Sequence, residues 1–116
     1  METPLASTAV LTFSAGDGGR SVEARIGQRF DVSLAENGST GYRWEIVADG
    51  APTLALTGDE TRASAAPPGL VGAPVTRVFH FRASATGDAK IALVDRRPFG
   101  TYPPTATFAL TVVVRP

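Results

Sequence analysis

Residues 75–82 read Val-Thr-Arg-Val-Phe-His-Phe-Arg, a run in which the phenylalanines recur at every second position. Val75, Phe79 and Phe81 fall on one face together with Arg77, whereas His80 falls on the other face. Successive side chains of a strand point to opposite faces, so a period of two over a short run is typical of a half-buried antiparallel strand. This stretch therefore predicts a β-strand.

The same period of two recurs along the rest of the chain. Further strands are predicted at residues 29–34, 42–46, around 91–93 and at 107–114, with shorter ones near residues 11–13 and 22–25. Twelve glycines and nine prolines are spread between these runs, where they break helices and form turns. Seven to eight short strands with frequent turn signals predict an all-β fold, an immunoglobulin-like antiparallel β-sandwich with Trp44 in its core. We expect residues 1–116 to form a single domain.

Composition excludes several classes of function. Eleven basic and eleven acidic residues give a formal net charge of zero, which argues against nucleic acid or an anionic membrane as the main partner. The absence of cysteine excludes disulfides, a thiol nucleophile and a cysteine-based zinc site, and a single histidine, His80, excludes a multi-histidine metal site. We therefore expect no cofactor and no metal. We also expect the protein to be a monomer.

The first segment that differs from an ordinary tight turn is Asn37-Gly38-Ser39-Thr40-Gly41-Tyr42, called the first loop below. Its glycines permit unusual backbone angles and the close approach of another surface. Its small, uncharged, hydrogen-bonding residues suit entry into a narrow polar cleft. The alternative is a plain connection with a tight Asn-Gly turn, which the local pattern alone favours.

Two later segments also stand out. The second loop, residues 67–74, holds the apolar pair Leu70 and Val71 between glycines and prolines, so it forms either a rigid binding element or a cover for the sandwich edge. The third loop, residues 96–102, contains arginines together with Phe99 and Tyr102, the residue types most enriched at interface hot spots. We expect one of these aromatic side chains to be exposed and the other packed on the core.

These residues resemble the chagasin family of cysteine-protease inhibitors. That family carries the motifs Asn-Pro-Thr-Thr-Gly-Tyr/Phe, Gly-x-x-Gly and Arg-Pro-Trp, in this order. The corresponding segments here are residues 37–42, Gly69-Leu70-Val71-Gly72 and Arg97-Pro98-Phe99, and a Tyr-x-Trp follows at residues 42–44. The resemblance extends from about Phe30 to Val114.

The resemblance implies a reversible, competitive inhibitor of papain-like cysteine proteases that occludes the active-site cleft with its three loops. It implies that the first loop covers the catalytic cysteine, with Thr40 nearest, and that the other two loops grip the sides of the cleft. The implied protease-binding residues are Asn37, Gly38, Ser39, Thr40, Gly41, Tyr42, Gly69, Leu70, Val71, Gly72, Arg97, Pro98 and Phe99. Gly38, Ser39 and Phe99 depart from the family motifs, which predicts weaker or retuned inhibition.

Two alternatives remain open at this point. One is a non-inhibitory protein- or carbohydrate-binding module, because a sandwich fold does not determine function. The other is an enzyme, but no Gly-x-Ser-x-Gly motif is present, and we expect His80 to be a surface or edge residue rather than a general base. No secretory signal is visible at the N-terminus, so secretion or export to the periplasm is expected only if a leader has been removed, and a cytoplasmic location otherwise.

Overall fold

The computed structural model describes residues 10–37, 41–63, 75–97 and 104–116, and these residues form a two-layer β-sandwich. One sheet has the strand order β1-β3-β6-β5 and the other β2-β8-β7-β4, which confirms the predicted all-β fold. A short 3-10 helix, Ala15–Asp17, separates the first two strands. The strands are β1 Val10–Ser14, β2 Ser21–Arg25, β3 Arg29–Glu36, β4 Arg43–Asp49, β5 Leu54–Ala63, β6 Val75–Ala83, β7 Gly87–Arg96 and β8 Ala106–Arg115.

The strand β5 has no counterpart among the strands that the alternation predicts. A register shift between Leu56 and Gly58 interrupts its pairing with β6 and breaks the period of two. The other predicted strands are present, with ends that differ by a few residues. Tyr42, which the alternation includes in a strand, lies just before β4.

Two of the strand pairings are parallel, contrary to the expected antiparallel sandwich. Strand β1 pairs in parallel with β3, and β2 pairs in parallel with β8 at the edge of the other sheet. The chain passes from β1 to β2 in the opposite sheet and then back to β3. Because it reverses direction twice, β1 and β3 run the same way. The remaining pairings are antiparallel.

Aromatic and branched side chains fill the space between the sheets. The rings of Phe30 and Phe81 stack with their centroids 5.2 Å apart, and Phe13 meets Phe30 edge-on at 5.9 Å. Trp44 is buried, as the sequence predicts. The largest fully buried side chains are Phe30, Phe79, Phe81, Leu34, Leu54, Ile91, Leu93, Leu110, Val32, Val78 and Val112. In the part of the chain that the structure describes, no helix is long and apolar enough to cross a membrane.

Candidate functional site at the loop end of the sandwich

The first and second loops begin at the same end of one sheet. Glu36, the last residue of β3, lies opposite Val75, the first residue of β6. Val75 in turn lies opposite Ala63, the last residue of β5. The chain therefore leaves β3 for the first loop and β5 for the second loop at the same end of the sandwich. We call this end the loop end.

The third loop emerges at the loop end as well, from the other sheet. Trp44 on β4 lies opposite Asp95 on β7, and Asp95 lies opposite Ala106, the first residue of β8. The Trp44 backbone N–H donates a hydrogen bond of 2.8 Å to Glu36, which joins this corner to the end of β3. All three connections thus start from a shared base.

The first and third loops are in contact through Arg97. Its guanidinium carbon lies 5.2 Å from the centroid of the Tyr42 ring, in a cation–π arrangement. A methyl group added at Gly41 would lie 3.6 Å from the Arg97 Nε atom, which is an ordinary van der Waals distance. Gly41 itself has a φ of +83°, in the left-handed region that glycine enters without strain.

Four of the predicted site residues are therefore placed by the structure. Asn37 directly follows β3, and Gly41, Tyr42 and Arg97 lie together at the loop end. The remaining predicted site residues lie outside the described residues, and they are Gly38, Ser39, Thr40, Gly69, Leu70, Val71, Gly72, Pro98 and Phe99. The prediction that one of Phe99 and Tyr102 is exposed and the other packed on the core also lies outside them.

Near the loop end lies a cluster of charged side chains centred on Arg77, in which Arg77 and Glu36 are buried and Asp59 is exposed. Its Nη1 donates to Glu36 at 2.9 Å and to the Trp44 carbonyl at 3.4 Å. Its Nε and Nη2 donate to the two carboxylate oxygens of Asp59 at 2.8 and 2.7 Å. Asp59 raises the pKa of Arg77, with a further contribution from Glu36, and Arg77 lowers the pKa of Asp59. Arg77 and Asp59 are therefore held in their ionised forms.

Asp95 adds a second buried carboxylate on the opposite sheet. The residue is only 9% exposed, and its Oδ1 atom has no hydrogen-bond partner among the described residues. Burial raises the pKa of Asp95, and the nearby charge of Glu36 raises it further. Arg77 thus neutralises the carboxylates of Glu36 and Asp59, whereas the buried Oδ1 atom of Asp95 has no partner among the described residues.

No local sequence pattern predicts a part in the site for Glu36, Asp59 or Asp95. A signal was present at Arg77, which shares the inward parity of Phe79 and Phe81. A charged residue at a core position requires a buried partner of opposite charge. The alternation therefore indicated that a partner exists, but not which residue it is.

His80 lies on the outer face of β6, the strand that carries Arg77. As predicted it is partly exposed, but β6 is an inner strand, so the residue is not at a sheet edge. Its Nδ1 lies 2.7 Å from Asp31 and its Nε2 lies 2.6 Å from Glu60. Glu60 and then Asp31 raise the pKa of His80, while Arg62 and His80 lower the pKa of Glu60 to about 2.

This arrangement bridges three strands and does not resemble a catalytic site. With both ring nitrogens beside carboxylates, His80 has no ring nitrogen directed at a nucleophile. The nearby Thr57 hydroxyl donates to the backbone carbonyl of His80 rather than to its ring. Among the residues that the structure describes, no group of three or more His, Asp or Glu side chains is arranged to hold a metal ion.

Comparison with known proteins assigns the chain to a family. The model of the chagasin family of peptidase inhibitors matches residues 23–112. The chain belongs to the chagasin family. This agrees with the resemblance found in the three loop motifs, and it identifies the family as one of inhibitors rather than of enzymes.

Solved structures of other proteins share the sandwich. The cysteine protease inhibitor EhICP2 from Entamoeba histolytica is 25% identical with a TM-score of 0.82, over 91% of this chain and 96% of that one. Amebosin is 26% identical with a TM-score of 0.76, over 92% and 99%. PbICP-C, solved in complex with falcipain-2, is 16% identical with a TM-score of 0.60, over 90% and 97%, and shows the fold alone. No curated protein sequence matched.

Proposed function

We propose that this chagasin-family protein is a reversible, competitive inhibitor of papain-like cysteine proteases and that its loop end occludes the active-site cleft. The observation that carries the proposal is the shared origin of the three loops, with Arg97 of the third loop packed on Tyr42 of the first. A wedge built on paired strands loses little conformational entropy when it docks. PbICP-C, a structural neighbour, is solved in complex with the protease falcipain-2, which accords with such a target.

In this proposal each loop has a separate task. The first loop enters the cleft, where Ser39 and Thr40 supply small, uncharged hydrogen-bonding side chains opposite the catalytic cysteine. Leu70 and Val71 of the second loop and Phe99 of the third contact the two walls of the cleft. Inhibition then results from excluding substrate, so the inhibitor needs no catalytic residue and no cofactor. Residues 1–116 act as one monomeric inhibitor domain.

A titration of papain and of a cathepsin L-type protease tests the proposal. Residual activity on a small fluorogenic substrate is followed as purified inhibitor is added. We expect the apparent inhibition constant to rise with substrate concentration, because inhibitor and substrate compete, and we expect activity to return on dilution. Full protease activity at high micromolar inhibitor would contradict the proposal for these enzymes.

A charge placed at the tip of the first loop tests which end of the sandwich binds. We expect Thr40→Arg to abolish inhibition with the fold intact, because a long cationic side chain would have to be desolvated in a closed cleft. The matched control is Thr12→Arg, the same change at an exposed position of β1 that pairs with Asp31, away from the loop end. Inhibition that survives Thr40→Arg, or that is lost equally with Thr12→Arg, would refute the loop model.

A further inference from the structure

The two strands that flank the first loop belong to different sheets. Strand β3 pairs with β1 and β6, whereas β4 pairs with β7. In an ordinary hairpin the ladder of hydrogen bonds between adjacent strands holds the two ends of the loop together. Here the ends of the first loop must be joined in another way.

Trp44 makes two of the connections across this gap. Its backbone N–H donates to the Glu36 carboxylate at 2.8 Å, and its indole N–H donates to the Ala35 carbonyl at 2.9 Å. The residues just before the first loop are therefore bonded to a residue just after it.

Arg77 completes the connection from β6. Its Nη1 donates both to the same Glu36 oxygen and to the Trp44 carbonyl. The other edge of its guanidinium, formed by Nε and Nη2, donates to the two carboxylate oxygens of Asp59. These two bonds fix the orientation of the guanidinium. The side chains of Arg77 and Glu36 are 9% and 5% exposed, so this charged pair is shielded from water and salt.

We propose that Arg77 and Glu36 are positioning residues for inhibition, which hold the two ends of the first loop at a fixed separation across the gap between the sheets. This inference rests on the proposed function, because a fixed separation of the loop ends would offset, before binding, the conformational freedom that glycine allows at position 38. A loop whose ends are fixed loses less entropy on binding, so the clamp raises affinity without touching the target.

Removing Arg77 alone would leave Glu36 buried and unpaired, which can unfold the protein. The first test variant is therefore the double substitution Glu36→Gln with Arg77→Met, which removes both charges and keeps an acceptor for the Trp44 N–H. The second is Asp59→Asn, which leaves the Arg77–Glu36 pair in place but weakens the bonds that aim the guanidinium. The control is Gly27→Ala, a strained turn substitution outside the loop end that lowers stability without touching the clamp.

Two readouts separate a positioning role from a merely structural one. One is the inhibition constant for papain at a temperature where every variant is folded. The other is amide hydrogen exchange of residues 37–44 in the free inhibitor, compared with exchange in the strands. We expect the double variant to weaken inhibition by roughly tenfold or more, to accelerate exchange in residues 37–44 and to leave exchange in β7 and β8 unchanged. Asp59→Asn should shift both readouts the same way by less, and Gly27→Ala should shift neither.

Unchanged exchange of residues 37–44 in the double variant would overturn the positioning role. An equal loss of inhibition in the Gly27→Ala control would overturn it too, because the effect would then follow overall stability. If the unmodified protein inhibits no protease, the proposed function fails, but hydrogen exchange still decides whether the clamp orders the loop. The two hypotheses can therefore fail separately.

Discussion

The left-handed backbone at Gly41 provides a direct test of the first loop. Gly41 has a φ of +83°, and Gly27, in the turn between β2 and β3, has a φ of +91°. A Cβ at Gly41 would meet only Arg97 at 3.6 Å or more, and a Cβ at Gly27 would meet nothing within 4 Å. Gly41→Ala and Gly27→Ala therefore introduce the same backbone strain with no steric clash, one in the proposed binding loop and one outside it.

The size of the effect follows from the backbone alone. An alanine in the left-handed region costs about 1–2 kcal/mol relative to glycine. At Gly27 the strain cannot relax, because the N–H groups of residues 26, 27 and 28 are all hydrogen-bonded, each at 2.9 Å. We therefore expect Gly27→Ala to lower the free energy of unfolding by about 1–2 kcal/mol and to leave inhibition unchanged.

At Gly41 we expect the strain to be expressed mainly in binding. Because the first loop contains a second glycine, and glycine accepts a wide range of backbone angles, we expect the strain to be relieved by a change of conformation in the free inhibitor. Restoring the original conformation in the complex then costs about 1–2 kcal/mol, so the inhibition constant should rise roughly 5- to 30-fold.

The assay compares both variants by urea denaturation and by titration of papain. Unfolding is followed by the fluorescence of Trp44, the only tryptophan in the chain. An unchanged inhibition constant for Gly41→Ala would refute the idea that the left-handed exit of the first loop is required for binding. Weaker inhibition by Gly27→Ala would show that strain anywhere in the sandwich acts through overall stability.

Three further predictions concern the buried and charged side chains. Trp44→Phe should lower the free energy of unfolding by about 1–3 kcal/mol, because the Ala35 carbonyl loses its indole donor, and Trp44→Ala should lower it by about 3–5 kcal/mol through the added cavity. Urea denaturation followed by circular dichroism measures both, and equal losses would contradict this separation. Burial raises the pKa of Asp95, so the folded protein binds more protons than the unfolded chain, and stability should fall as pH rises from the ordinary Asp value of 3.8 through the raised folded pKa. Asp95→Asn should therefore gain stability relative to the unmodified protein as pH rises, and a pH-independent difference would count against the raised pKa. Glu60 raises the pKa of His80 above 6.5, so its ion pairs should stabilise the fold fully below that pH and lose this contribution as pH rises through the folded pKa. His80→Gln should flatten this part of the thermal stability profile, and an unaltered profile would show that His80 is not its source.

Much of the fold was accessible from local patterns. The face of the strand that carries Phe79 and Phe81 is buried as the alternation predicts, and Arg77 lies inside with them. Val78 on the opposite face is also buried, which the alternation does not predict. Strand β5 was not predicted, because a bulge near Gly58 interrupts the alternation of apolar and polar residues by which a strand is recognised.

The candidate site, like the fold, was only partly predictable from local patterns. The three loops could be found by composition and motif, since glycine, proline, arginine and aromatic residues mark such a segment wherever it lies in the fold. That Arg97 packs on Tyr42 follows from no local pattern, because the two residues flank β7 and β4, which are far apart in the sequence. The partners of His80 were equally invisible, because its contacts with Asp31 and Glu60 cross to two neighbouring strands.

Local sequence patterns predicted the class of fold, the motifs that identify the chagasin family and every strand except β5. They could do so because side-chain periodicity and turn residues act over a few neighbouring positions. The pairing of Arg77 with Glu36, which lies 41 residues earlier and is buried with it, and with the exposed Asp59, 18 residues earlier, depends instead on the tertiary structure. The reason is physical: the burial of a charge requires a partner, but the choice of partner depends on which strands pair and in which register, and these are properties of the whole chain.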